Sequence, residues 1–416
     1  MKRISTDMPS MDMSYYMRLR EWKLNDLQNK MAAQTRIKNL RDDPMAAGHG
    51  TRFQSKVVRL ERFLENISQV QGKLALAEGN MRSGLDILQR VRELAVQGAN
   101  GSYTNEQMAY MAEEVDQLLR ELLEVANAQD AQGNYIFSGF RSKIEPFRIH
   151  TGRVEGSRDS EVITLVQYVG DIGRNRAEVA EAATMDYTLP GNYVFWAERQ
   201  QIYSSVDALQ YRVPADSSIR IDGVEIKLKQ GDNVYAIIDK INASGAPVKA
   251  RLDPVRSSVA LEGTFAHQIW PEDVGGGTVL QDLGVVRRGV DSPPLNIAGS
   301  ASVFGGSIFD MVIALRDSLY SGDVHRIGGG ALRGVDDAVE SLTAHLGELG
   351  AKDARLLVTQ QRLEHERPEH IRFLAQELDL DITEAVTELK MLEYTHQAAV
   401  ATAARILRPT LLDYLR

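Results

Sequence analysis

The sequence predicts an α+β protein in which N- and C-terminal helices form one discontinuous bundle carrying an inserted β-rich domain. Three observations carry this reading. Both ends repeat apolar residues at spacings of three and four, the period of a helix with one buried face. The middle, about 142–330, holds most of the prolines, many glycines and several short β-branched runs. The stripe at the extreme N-terminus has no partner helix near it in sequence, so the economical arrangement packs the two ends against each other, with the middle projecting sideways. The expected divisions are 1–43, 44–141, 142–330, 331–379 and 380–416.

The first helix is predicted over 9–31. Met13, Met17, Leu24, Leu27 and Met31 fall on one stripe, with Arg20 filling its gap. Asn39 to Pro44 breaks the pattern, and Asp43 is placed to cap a new helix whose first turn accommodates Pro44. That helix should run to about Gly98, a rod of roughly 80 Å at 1.5 Å per residue. Its stripe is Phe53, Val57, Leu60, Leu64 and Ile67, then Leu74, Met81, Leu85, Leu88 and Ala95. Polar Gln71, Glu78 and Arg92 interrupt it beside Val70, Ala77 and Val91, so the stripe is expected to drift around the helix. Gly72, Gly79 and Gly84 each cost about 1 kcal/mol relative to Ala, so the rod needs partner helices.

A turn at 99–102 and a capping box formed by Thr104 and Gln107 start a third helix, antiparallel to the second, with Met111, Val115, Leu118, Leu122 and Val125 on its stripe. Gly133 to Gly139 reads as a turn and short strand leaving the bundle. Strands are predicted at 162–166, 193–196 and 248–252, with a hairpin from Ile219 to Leu228 turning at Asp222-Gly223. A short helix is predicted over 232–241. The triplets Gly275 to Gly277 and Gly328 to Gly330 are expected to be loop and hinge. From Gly334 the helical stripe returns as Val335, Val339, Leu342, Leu346, Leu349, Leu356 and Leu363, and Pro368 should kink or end that helix. Asp381 with Glu384 caps a last helix faced by Val386, Leu389, His396, Ala403 and Leu407.

Composition bounds the function. The 416 residues are 43% hydrophobic and 25% charged, enough apolar material for a real core. A net charge of -9 and pI near 5.5 argue against nucleic acid as a main partner. The absence of cysteine excludes disulfides and thiolate chemistry. No apolar run approaches the ~20 residues of a membrane span. The basic start has no apolar stretch behind it, so no cleavable secretory signal is expected.

Candidate chemistry is sparse. His365 and His370 stand five apart across a proline, whereas a helical zinc pair needs a spacing of four, so no metal is expected. The glycine triplets lack the lysine and hydroxyl of a phosphate loop, so no cofactor is expected. Asp42 and Asp43 are read as capping residues rather than an acid–base pair. Asn100 and Asn242 head glycan-acceptor triplets, a weak pattern. No nucleophile–base grouping is found, and no enzyme is expected.

Several segments resemble a known family. Met1 to Thr6, Leu27 and Met31, and Leu40 to Ala47 are similar to the start of hook–filament junction proteins, the hook-associated protein 3 branch of the flagellin family. Asn127 to Phe140 resembles the family's exit from its helical domain. Leu349 to Leu356 and Ile382 to Leu415 resemble its C-terminal helices. Ile219 to Leu252 is similar to the small β module found in several flagellins and hook-associated proteins. Ile-Ser-Thr near the start and Asp-Asp-Pro favour the junction branch over flagellin. The departures are Arg367-Pro368 and an unfamiliar middle.

The resemblance implies a flagellin-like core and a structural role between hook-associated protein 1 and flagellin, in a homo-oligomeric layer. It implies type III export with the help of an export chaperone, and a place in a flagellum outside the cell or in the periplasm. It makes 1–43 and 380–416 assembly segments, frayed in the monomer and paired as a coiled coil in the junction. Their interface would bury Met13, Met17, Leu24, Leu27, Met31, Leu389, His396 and Leu407.

Overall fold

A computed structural model describes residues 8–157, 161–287 and 293–406. Along the chain the helices are α1 (Met8–Ala33), α2 (Pro44–Ala99), α3 (Asn105–Ala126), α4 (Gly191–Val194), α5 (Val234–Ala243), α6 (Val279–Asp282), α7 (Ile308–Ser321), α8 (Val324–Arg326), α9 (Leu332–Leu378) and α10 (Ile382–Ile406). The strands are β1 (Phe147–Gly152), β2 (Val162–Tyr168), β3 (Arg176–Ala180), β4 (Ala183–Asp186), β5 (Gln201–Tyr203), β6 (Ser217–Ile221), β7 (Val224–Leu228), β8 (Val248–Asp253), β9 (Ser258–Gly263), β10 (Pro271–Val274) and β11 (Ser302–Phe304). The α+β arrangement is the one the sequence predicts, with helices at both ends and strands between them. Two compact units emerge, Met1–Glu65 with Thr359–Arg416, and Asn66–Val358.

In the first unit α1 packs against α10. They run antiparallel, because Thr35 bridges Asp379 near one end and Arg20 Nη1 donates to the Thr395 carbonyl further along, 3.2 Å away. The start of α2 meets the end of α9. Phe53 stacks on Phe373 with ring centres 5.6 Å apart, and His49 lies 3.3 Å from Glu377. Gly50 permits the approach: a Cβ there would stand 2.6 Å from Leu378 Cδ2. Pro368 does not end α9, which continues to Leu378. The pyrrolidine removes one ladder bond on an exposed flank, while the aromatic packing beyond it keeps the last turns helical.

In the second unit α2 and α3 form the expected antiparallel hairpin. Arg90 bonds Glu114, and Gly84 faces Leu122 and Val125. The capping box at Thr104 and Gln107 is present. The drift predicted for α2 does not occur. Its buried line is Leu60, Ile67, Leu74, Met81, Leu88 and Ala95, accompanied by Phe63, Val70, Ala77 and Val91 three residues on. The apolar neighbours of the polar positions are the second heptad line, so Gln71, Glu78 and Arg92 simply lie outside the seam. The same offset holds in α9, where Val335, Leu342, Leu349, Leu356 and Leu363 are joined by Ala338 and His345.

Helix α7 was not anticipated. It is capped by a Ser307–Asp310 box and packs along α3. This second neighbour turns the buried face of α3 to Met108, Ala112, Val115, Leu119 and Leu122, leaving Met111, Leu118 and Val125 half-buried at its margin. Between α7 and α3 lies a fully buried Arg316, bonded at 2.7 Å to both Asp116 and Asp317.

The insert contains two two-stranded sheets, a three-stranded sheet in the order β10-β6-β7 and a four-stranded sheet in the order β11-β5-β9-β8. The predicted hairpin is β6–β7, with Asp222 and Gly223 both at positive φ, as a two-residue turn of that type requires. Asn233 caps α5, which packs on β7 and β8 over a continuous aliphatic core including Ile219, Ile226, Ile237, Ile241 and Leu261. The segment 193–196 is not a strand. Val194, Phe195 and Trp196 are all buried rather than alternating, and Phe195 enters an aromatic cluster with Phe137, Phe147 and Phe309. The pairing of Tyr135 with Gln129 is an isolated bridge outside any strand, so the exit after α3 is a turn rather than a strand. Gly275 to Gly277 is a loop. Gly328 to Gly330 is not: it lies within a π-helical turn, Ile327–Ala331, leading into α9. Buried Ile327 and Ala331 anchor that turn at each end.

Candidate assembly interface

The terminal helices carry the candidate site. On α1, Leu27 is buried and Met13, Met17, Leu24 and Met31 are half-buried, so the predicted stripe faces inward as one row. Arg20, the polar gap in that row, uses its position to bond a carbonyl of α10. On α10, Leu389 and His396 are half-buried, between buried Ala385 and Ala403. Leu407 and the family-like start Met1 to Thr6 lie outside the described residues. The structure thus sets seven of the eight sequence-nominated positions on the inward faces of two helices of one chain.

The connection from α1 into α2 is held by two carboxylates with separate duties. Asp43 Oδ1 accepts from the backbone N–H groups of Met45 and Ala46 at 3.1 and 3.0 Å, capping α2 ahead of Pro44. Asp42 turns the other way and accepts from Asn39 N and Lys38 N, both at 3.1 Å. Those backbone donors, with Lys30 and Arg41 nearby, hold its carboxyl below the usual carboxylate range. Asp381 likewise caps α10 through Thr383 N and Glu384 N. Caps at both joints fix where α2 and α10 start.

The outward faces are the part the stripe did not reveal. Met11, Tyr15, Tyr16, Leu19 and Trp22 stand exposed on α1, with Trp22 at 53%. Met391 and Tyr394 stand exposed on α10, Tyr394 at 75%. The signal was present in the sequence as large side chains off the heptad positions, on a helix whose opposite face was already apolar. A contiguous exposed apolar face of this kind marks an interaction surface.

The second unit offers a possible chemical site and then disarms it. A cavity of about 930 Å³ is lined by Tyr193, Arg199, Arg333, His345 and Glu348 among others. Glu348 accepts from Tyr193 Oη at 2.7 Å and pairs with Lys352 at 2.8 Å. His345, 3.9 Å away, and then the bonded Lys352 and Tyr193 hold its carboxyl far below the usual range, while burial pushes the Tyr193 hydroxyl up. A carboxylate so strongly held is a poor general acid or base near neutral pH. His365 and His370 do not converge with other ligands, and His370 instead stacks beside Phe53 and Phe373. Among the described residues no group of three His, Asp or Glu is arranged to hold a metal, and no helix is long and apolar enough to cross a membrane.

The bacterial flagellin N-terminal helical region matches residues 4–142, and the flagellin hook IN motif matches residues 215–264. Polar flagellin F of Vibrio parahaemolyticus is 24% identical over 357 residues, covering 82% of this chain and 88% of the relative. Flagellar hook-associated protein 3 of Escherichia coli is 26% identical over 131 residues, 32% of this chain and 41% of the relative, so the chain spans well under half of that protein. A crystal structure of flagellar hook-associated protein 3 from Legionella pneumophila aligns with a TM-score of 0.47 at 17% identity, covering 78% of this chain and 98% of that one.

Proposed function

We propose that this member of the flagellin family, a flagellar structural protein, forms the adaptor layer that joins the hook, through hook-associated protein 1, to the flagellin filament. The observation that carries the reading is the α1–α10 pair, apolar on the face turned inward and carrying large apolar side chains, Met11, Tyr15, Trp22, Met391 and Tyr394, on the faces left open. Residues 1–43 and 380–416 are the assembly segments, 44–141 with 331–379 form the helical core, and 142–330 is an inserted β-rich domain. Met13, Met17, Leu24, Leu27, Met31, Leu389, His396 and Leu407 hold the coiled coil together, and Asp43 with Pro44 sets its joint to the core.

Burial of the terminal faces favours assembly by about 25 cal/mol per Å² of apolar surface, opposed by the ordering of chain and side chains. That balance keeps subunits loose during export, with a chaperone covering them, and committed once seated among their own copies. Hydrogen exchange on the monomer tests it. Strong protection of both terminal segments before assembly refutes the ordering step.

Deletion of the gene followed by electron microscopy tests the role. Intact hooks without filaments, with flagellin shed unassembled, support the junction; normal filaments refute it. One observation favours a second reading, the filament subunit: the polar flagellin aligns along 82% of the chain, against 32% for the Escherichia coli junction protein. Purified protein that polymerises alone into long filaments would establish that reading instead.

A further inference from the structure

The outward face of the first turns of α2 is a groove of about 600 Å³. Its floor is Pro44, Ala47, Gly48, Thr51 and Ser55, small residues in which a Cβ at Gly48 would meet nothing within 4 Å. Such a floor lets another helix approach closely. Leu40 closes one end, 77% exposed, and Met45 stands nearby at 72%. Arg52, Lys56 and Arg59 line the other end, and Arg52 and Lys56 make no ion pair among the described residues. The groove is therefore apolar and small at one end and cationic at the other.

The chain itself carries a surface of matching chemistry. On α10, Glu384, Glu388, Met391, Tyr394 and Ala398 are all exposed, and their spacing sets them on one outward face. Glu384 and Glu388 lie toward its N-terminal end, and Met391, Tyr394 and Ala398 follow. Neither glutamate side chain is paired among the described residues.

We propose that the α2 groove is the seat for α10 of a second copy of this chain, with Met391 and Tyr394 over the small-residue floor and Glu384 and Glu388 against Arg52 and Lys56. The two exposed surfaces of this unit are complementary in charge and in relief. The two patches are different, so the contact is heterologous: each copy offers a groove to one neighbour and a helix to the next. Repeated, it closes into a ring or continues as a helix, the geometry a layer needs. The inference rests on the structural reading above and names the contact by which the copies meet.

A charge-reversal cycle on the full chain tests it, with self-association followed by sedimentation velocity across concentration. Lys56→Glu places like charges at the contact from one side, and Glu388→Lys does so from the other. Each should weaken self-association at least ~tenfold, as like-charge contacts do, with the thermal midpoint unchanged. An equimolar mixture of the two variants should recover parental association, because alternating copies restore an opposite pair at every contact. Failure of the parent to self-associate, unchanged association in the single variants, or no recovery on mixing each overturns the proposal. A deletion strain with normal filaments would overturn the junction role alone, whereas a failed cycle beside absent filaments would overturn only this contact.

Discussion

Asp116→Ala should destabilise the α3–α7 packing, and Arg316→Met should cost less. In the native structure the Arg316 guanidinium is fully buried, with Nη1 on Asp116 and Nε and Nη2 on Asp317. Removing Asp116 leaves a buried cation with one of its two carboxylates, and the survivor is 41% exposed. Breaking a buried pair from one side costs about 3–5 kcal/mol; the remaining partner brings the expectation to the lower end, about 3 kcal/mol. At 1.4 kcal/mol per decade that is a factor of roughly 150 in the opening equilibrium. At roughly 2 °C per kcal/mol for a large domain, it lowers the midpoint by about 6 °C.

Arg316→Met removes the buried charge itself and largely fills its volume, while Asp116 keeps Arg120 at 3.0 Å. About 1 kcal/mol is expected, since replacing a buried ion by an apolar side chain is often near neutral. Native-state hydrogen exchange of the α7 amides separates local opening from global unfolding. If Arg316→Met destabilises α7 as much as Asp116→Ala does, the buried cation is not what makes the loss of Asp116 costly, and the reasoning fails.

Four shorter predictions follow from the same geometry. Gly50→Ala brings a Cβ to 2.6 Å from Leu378 and should cost about 1–3 kcal/mol, read as accelerated exchange at the end of α9; no change would mean Leu378 swings aside freely. Gly79→Ala, in open space inside α2, should stabilise by about 1 kcal/mol in thermal unfolding, and destabilisation would contradict the helix as described. Asp43→Ala should cost about 1 kcal/mol and expose the Met45 and Ala46 amides to exchange, while protected amides would show the cap to be redundant. Glu348 has a depressed folded pKa, so its stabilisation is complete above its unfolded value near 4.5 and is lost as pH falls. The gap in melting temperature between the parent and Glu348→Gln should therefore narrow from pH 7 toward pH 3, and a constant gap would refute it.

The terminal helices and the hairpin were legible because their signals are local. Leu27 on its stripe, Asp43 before Pro44, and Asp222-Gly223 between β-branched residues each specify one backbone outcome. The second seam of α2 is legible too, at a spacing of three rather than four: four residues from Leu60 reaches Leu64, three reaches the more buried Phe63. Helix α7 was hidden because it is covered on several sides. Ile308, Phe309, Val312, Ile313, Leu315 and Leu319 are all buried, which erases the amphipathic period. Its Ser307–Asp310 box was the available cue. Tyr193 to Trp196 is a short apolar run whose period says nothing, and its conformation is decided by an aromatic cluster assembled from distant segments. For the candidate site, inward residues followed from periodicity, whereas the α2 groove needed the third dimension to show which small residues share an open face.

The π turn at Ile327–Ala331 bears on length variation. A π turn holds one residue more than the α turn it replaces, so it is the place where a single insertion leaves the rest of a helix undisturbed. A chain with one glycine fewer between Ile327 and Ala331 could wind as α-helix from Val324 into α9 and still present Val335, Ala338 and Leu342 to the same neighbours. One residue removed anywhere between Val335 and Leu363 would instead turn every later side chain by about 100° and take the heptad out of the core. The three glycines mark a joint at which the sequence can gain or lose a residue without rewriting the helix that follows.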